Sequence, residues 1–244
     1  MKLLAISDIH IEYMKDAGLA FYKRLHQTQA DVCVVAGDLI PLCDLRYVEV
    51  TQLALWALTK HFPHVLYILG NHEYYGGSRE QMIYVCKALE ERFDNLYILQ
   101  RETITLDGVK FAGSTLWFPN QEGNEFHYRN MDDFRLIYRL PYWVYDENAA
   151  DTQFFGASDA DVWLMHHLPS KRSVPKFFKN SPLNRFFVSD LTAQIAKQKP
   201  KLVIHGHSHS SSDYQLGTTR VYANPHGAKP KNRQFTYETV EVEV

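Results

Sequence analysis

The 244-residue sequence predicts an α/β fold in which two β-sheets pack together with helices on their outer faces. Two observations predict it. Early in the chain, short β-rich runs alternate with stretches of helical periodicity, which implies parallel strands joined by crossover helices. Later the pattern turns to hairpins around further short buried runs, which adds antiparallel strands.

Taken in order, Lys2–Ile6, Val32–Ala36 and Val65–Leu69 are the first three strands. Between them, residues 14–29 and 46–60 carry apolar residues at helical spacing, for example Val48, Leu53, Leu55, Trp56 and Leu58; residues 79–92 read as a third helix. Thr103–Leu106 and Val109–Ala112 flank Asp107-Gly108, a hairpin signal, and Asp213–Leu216 and Arg220–Ala223 flank Gly217-Thr218 in the same way. Val162–Met165 and Leu202–His205 are buried strands between these hairpins, a helix falls near 187–198, and residues 234–242 read as the last strand. No repeat, low-complexity tract or linker interrupts the chain, so residues 1–244 read as one domain. Two segments fit neither period. Residues 114–145 are rich in aromatics, and residues 168–186 hold Lys171, Arg172, Lys176, Lys179 and Arg185 with no acid among them. Long irregular loops are commonly lids or binding surfaces.

Composition narrows the function classes. A hydrophobic fraction of 45%, a charged fraction of 22% and a net charge of −2 belong to an ordinary globular protein. Nothing in that balance draws the whole molecule to nucleic acid or an acidic membrane surface. The N-terminal apolar run is too short for a signal peptide, and no stretch approaches a membrane span. Cys33, Cys43 and Cys86 are odd in number and widely spaced, unlike a disulfide framework, so a reducing cytoplasm is expected.

The chemistry lies at the strand ends. After the successive buried runs come Ser7-Asp8-Ile9-His10, Gly37-Asp38, Gly70-Asn71-His72-Glu73, His166 and Gly206-His207-Ser208-His209. In open α/β sheets, ligands bind where the loops at the carboxyl ends of strands converge. Singly, each motif has a bland alternative: an Asp capping a helix, a Gly-Asn turn, a satisfied buried histidine. Together they would bury many ionisable groups without a compensating charge, a cost that metal binding removes.

In this order the motifs resemble those of the calcineurin-like metallophosphoesterase superfamily, over residues 8–209, with Asn224-Pro225 similar to the family's ending. The resemblance implies a four-layer αββα sandwich of two mixed sheets flanked by helices. It implies that Asp8, His10 and His209 hold one metal, that Asn71, His166 and His207 hold another, and that Asp38 bridges them. In the family the histidine of this motif stands three residues before a proline, so the resemblance, through Pro169, implies His166 rather than His167. Donors of this kind, without thiolates, suit Mn, Fe or Zn. Such a pair clamps a phosphoryl group and lowers the pKa of a bridging water for in-line attack. His72 is the candidate to stabilise the transition state or to protonate the leaving group. The second aspartate and arginine of the protein phosphatase branch are replaced by Pro41 and Leu42, which argues against that branch; Asp44 is a guess for the group that orients His72.

The expected activity is therefore hydrolysis of phosphodiesters or phosphomonoesters, with small nucleotide-type diesters preferred. Lys171, Arg172 and Trp117 are candidate substrate contacts, and Tyr128 is a second aromatic candidate. His205 is expected to orient the histidine-rich turn beside it. One alternative is a nuclease on single strands that uses the basic loop, with Phe177, Phe178, Phe186 and Phe187 as stacking faces. Another is a non-catalytic protein-interaction scaffold of the same fold, against which the full set of expected ligands argues.

Overall fold

Each apolar run becomes a strand because both of its faces are covered. In the computed structural model, which describes residues 1–228 and 232–243, β1 (Lys2–Ile6), β2 (Val32–Ala36), β3 (His64–Ile68) and β4 (Leu96–Ile98) lie parallel in one sheet. The second sheet holds β5 (Glu102–Leu106), β6 (Val109–Gly113), β7 (Val162–Leu164), β8 (Leu202–Ile204), β9 (Ser212–Leu216) and β10 (Thr219–Ala223), in the order β5-β6-β7-β8-β10-β9. Its outer pairs, β5–β6 and β9–β10, are the antiparallel hairpins; its inner pairs are parallel. β11 (Val240–Glu241) runs antiparallel to β1 at the edge of the first sheet. The helices are α1 (Leu19–Leu25), α2 (Val48–His61), α3 (Arg79–Arg92), α4 (Asp133–Leu136), α5 (Val144–Ala157) and α6 (Thr192–Gln198).

Alternation along the strands sorts side chains into separate layers. Leu3, Ala5, Val32, Val34, Leu66 and Ile68 share one core with Val109, Phe111, Val162, Leu164 and Ile204 of the facing sheet. Their neighbours Leu4, Ile6, Cys33, Val35 and Tyr67 instead meet Leu25, Leu55, Leu58, Met82 and Leu89 from α1, α2 and α3. On the far side, Trp163, Val203 and Val221 pack on Phe155 of α5 and Ile195 of α6. The layers are thus α, β, β, α, as expected. All three cysteines are free. Among the described residues no helix is long and apolar enough to cross a membrane.

The departures have local causes. The helix expected over 14–29 is confined to Leu19–Leu25, because the Asp16 carboxylate accepts from the Gly18 and Ala20 amides and Gly18 takes a positive φ of 80°. The expected strand over 234–242 shrinks to Val240–Glu241; before it, the Asn224 side chain bonds the Thr236 backbone in both directions and replaces a ladder. The helix expected near 187–198 begins only at Thr192, whose amide bonds the Asp190 carboxylate. Residues 114–145 fold over the outer face of the first sheet, where Trp117, Phe118, Leu140 and Trp143 join its core.

Candidate metal centre

The carboxyl ends of β1, β2, β3, β7 and β8 deliver the five motifs to one crevice, and backbone bonds fix their loops to one another. Asp8 N donates to Gly37 O (2.9 Å), His10 N to Asp38 O (3.0 Å) and Gly206 N to His166 O (3.0 Å). The fit leaves no room for side chains at two glycines. A Cβ on Gly37, itself at φ +87°, would run into the His166 ring, and one on Gly70 into the Asp38 carboxylate. Asp8, His10, Asp38, His207 and His209 all take positive φ. Such strained backbone persists only where its surroundings over-determine it.

Beside a cluster of His10, Glu12 and His72 at the rim, two groups of ligand atoms hold the expected residues: Asp8, His10, Asp38 and His209 in one, and Asp38, His166 and His207 in the other. Asp38 belongs to both. His10 Nε2 lies 2.9 Å from His209 Nε2 and 3.7 Å from Asp38 Oδ2, while His209 Nε2 is 3.5 Å from Asp8 Oδ1. In the second group, His166 Nε2 is 3.4 Å from Asp38 Oδ2 and 3.0 Å from Asn71 Oδ1.

The tautomers decide what these short distances mean. His166 Nδ1 donates to Ala36 O (2.9 Å), and the Asn71 amide nitrogen donates to Asp133 Oδ1 (2.8 Å). What remains facing inward is a ring lone pair, an amide oxygen and a carboxylate oxygen: three acceptors converging on one spot. His10 Nδ1 likewise donates to Glu12 Oε1 (3.1 Å), which turns its Nε2 lone pair toward His209. His207 Nε2 is buried with no partner among the described residues. Converging acceptors and an orphaned ring nitrogen need a positive charge between them. The residues present therefore fit two cations held by nitrogen and oxygen.

In the protein alone, a proton supplies part of that charge. Burial by itself would raise Asp38, but His166, His72 and His10 hold its carboxyl well below the usual range. Burial would lower His166 and His72, yet Asp38 overcomes it; His166 rises to about 10 and, with help from Glu12, His72 to about 9. Burial pushes His207 and His209 down, so their rings are neutral and ready to ligate.

His72 sits at the rim, its ring 4.2 Å from that of Tyr75 and 4.4 Å from that of His10. Its Nδ1 donates to Glu12 Oε1 (3.0 Å). Asp44, the expected orienting group, instead caps a short turn and pairs with Arg46. Glu12 and Asp133 are the two groups that sequence reasoning missed. Glu12 lies two residues beyond a candidate ligand, a signal open to reading. Asp133 comes from the irregular 114–145 segment and had none. It also accepts from Tyr75 Oη (2.7 Å), and so sets which end of Asn71 faces inward.

The candidate substrate contacts fare differently. Trp117 is 2% exposed, wedged among Tyr74, Trp143 and His167, and offers no face to a ligand. Arg172 lies over the Tyr214 ring and donates to Gln215 O on β9. Lys171 is exposed. Tyr128 stacks on Phe134 at 3.9 Å and bonds Tyr145. His167 packs against Trp117 and His207 and joins neither ligand group. His205 is fully buried, its Nε2 2.8 Å from Ser173 Oγ and its Nδ1 3.0 Å from Gly206 O.

Comparison with known proteins agrees with this geometry. A protein of Acanthamoeba polyphaga mimivirus, itself uncharacterised, is 23% identical over 277 residues, covering 98% of this chain and 95% of that protein. The phosphopantetheinyl hydrolase of Mycobacterium tuberculosis superposes with a TM-score of 0.76 at 15% identity, over 98% of this chain and 95% of the other. A Thermus thermophilus protein reaches 0.57 at 17% identity, over 92% and 88%. The two structural likenesses show the fold. The calcineurin-like phosphoesterase family matches residues 1–211. With that match across most of its length and candidate ligand clusters for the dinuclear centre of the family, the chain belongs to the calcineurin-like phosphoesterase family and is a metal-dependent phosphoester hydrolase.

Proposed function

We propose that this chain, read as one domain, hydrolyses phosphodiesters at a two-cation centre, with small nucleotide-type diesters preferred over monoesters. Asp8, His10 and His209 would hold one cation and Asn71, His166 and His207 the other, with Asp38 shared; Mn, Fe and Zn suit such donors. The observation that carries this assignment is the convergence of His166 Nε2, Asn71 Oδ1 and Asp38 Oδ2, three acceptors that only positive charge can reconcile. When bound, cations of this kind polarise the phosphoryl oxygens and activate water. In the reaction, a water oxygen bonds to phosphorus, the bond to the leaving oxygen breaks, and that oxygen takes a proton.

His72 is our candidate donor of that proton. Its Nδ1 is committed to Glu12, so exchange with substrate falls to Nε2; in the protein alone burial would lower the ring, but the charges of Asp38 and Glu12 raise it to about 9. The basic loop favours a nuclease less. Phe186 is buried and Phe187 packs on His207, which leaves only Phe177 and Phe178 of the four phenylalanines well exposed.

The test is hydrolysis of a generic diester and a generic monoester by protein stripped of metal and resupplied with Mn, Zn or Fe. Activity that returns only with metal is expected, with the diester faster. Asp38→Asn should lower metal content and abolish turnover together, whereas His72→Ala should cut the rate and leave metal content nearly intact. Full activity in His72→Ala would remove that residue from the mechanism.

A further inference from the structure

Two clefts of opposite character border the candidate centre. The first, of about 500 Å³, begins at His10 and is lined by Tyr13, Lys15, Arg24, Asn232 and Tyr237 among others. That volume is within the range of small-molecule sites. Tyr13 is 52% exposed and its ring lies 5.8 Å from that of His10, so a flat face stands next to a candidate ligand. The exposed Arg24 guanidinium lies 5.0 Å over the Tyr237 ring. Among the described lining residues Asp16 is the one carboxylate, and its oxygens accept from the Gly18 and Ala20 amides, while Lys15 and Arg24 are the basic side chains. Aromatic faces, with a guanidinium stacked on one of them, suit a flat, electron-rich ring.

The second cleft is small, about 130 Å³, and lined by Leu168, Val174, Phe178, Leu183, Phe187 and Ser208. Ser208 stands between His207 and His209, and the Phe187 ring is 4.3 Å from that of His207, so this cleft also opens beside candidate ligands. Its described walls carry no charged side chain, and the polar groups among them, Ser181, Asn184 and Ser208, bond to nearby backbone. Its volume is well below the roughly 300 Å³ at which pockets begin to hold whole ligands, so it fits one arm of a molecule.

We propose that the centre acts on a phosphodiester with two unlike arms, a flat nucleoside arm beside Tyr13 and Arg24 and a short alkyl arm beside Phe187 and Ser208. The inference rests on the phosphoesterase reading above and deepens it. A phosphomonoester has one carbon arm and fills one cleft; a diester fills both. Hydrolysis adds one water across one phosphorus–oxygen bond, whichever arm departs.

The experiment uses O-alkyl esters of adenosine 5′-monophosphate, from methyl to hexyl, with the matched methyl alkyl phosphates for comparison. KM and kcat are measured on metal-loaded full-length protein, and binding of the same esters to chelator-treated protein is followed by calorimetry. Each added methylene should lower KM about three- to fourfold until the cleft is full, with kcat moving less. Phe178→Glu, at an exposed position, should flatten that dependence on chain length. Arg24→Ala should raise KM for the adenosine esters relative to the methyl esters of the same alkyl chain. A KM indifferent to chain length, or adenosine esters bound no better than methyl esters, would overturn the proposal. The two readings fail separately. Hydrolysis with equal KM across the series sinks the two-arm inference alone, while graded binding without turnover under any metal sinks the hydrolase assignment and keeps the clefts.

Discussion

Glu12 is the residue on which the two candidate histidines of the first cation site and the rim depend. Its side chain is 4% exposed, and one oxygen accepts from both His10 Nδ1 and His72 Nδ1. Burial pushes that carboxyl up, but the two histidines overcome it and hold it ionised. An acceptor of this kind fixes a ring's tautomer and its direction, and its loss typically costs about 10–100-fold in activity or metal affinity. Glu12→Gln keeps the shape and removes the charge. We expect kcat to fall by about that factor, and the penalty to be larger for esters of poor leaving groups, because those depend most on protonation by His72. A penalty independent of leaving-group pKa would show that Glu12 merely supports the loop. Trp117 is the opposite case, a residue whose chemistry suggested a ligand and whose burial assigns it to packing. Trp117→Ala should cost about 3–5 kcal/mol in denaturant unfolding, with KM for small esters unchanged in whatever folds.

At the scale of elements, Glu73 joins the loops after β2 and β3 into one piece. Its two oxygens accept from Asp38 N (3.0 Å), Leu39 N (2.7 Å), Gly70 N (2.7 Å) and Tyr67 Oη (2.7 Å). Each buried donor left without a partner costs about 1–3 kcal/mol. Glu73→Ala should therefore destabilise the protein by roughly 3 kcal/mol or more and weaken metal binding as well, measured by unfolding and by metal titration. Glutamine restores part of the loss at most, since its amide nitrogen cannot accept. The same elements show what was legible. Strands such as Val32–Ala36 are readable because burial on both faces demands an unbroken apolar run, and the polar motifs follow at their carboxyl ends. The helix Val144–Ala157 was not, because it buries Asn148 and Asp151, whose polar types hide its inward face. Asp151 is there to bond Ser114 Oγ and Leu116 N and to pair with Arg101, partners from other elements that no local pattern announces. Asp133 was invisible for the same reason: its partners, Asn71 and Tyr75, lie some sixty positions earlier in the chain.

Across the whole molecule, the candidate centre spans the two sheets, with Asp38 after a strand of the first and His166 after a strand of the second, so cation binding there would be linked to folding. Its sign with pH can be worked out. Burial would lower His166, but Asp38 lifts it to about 10, above the ordinary 6.5. A raised histidine contributes stability that is complete below pH 6.5 and is lost as pH rises through about 10. Chelated protein should therefore lose stability over that interval. Ligation needs the neutral ring, so binding a cation at pH 7 must expel this proton, and apparent affinity should climb with pH up to about 10. Metal-loaded protein, with a cation in the place of the proton, should not show the alkaline loss. We expect release of about one proton or more per chain when Mn or Zn is titrated at pH 7 in buffers of different ionisation enthalpy. His166→Ala should reduce that number. Metal binding with no proton released would mean that His166 is not a ligand, and the pairing of Asn71, His166 and His207 would have to be redrawn.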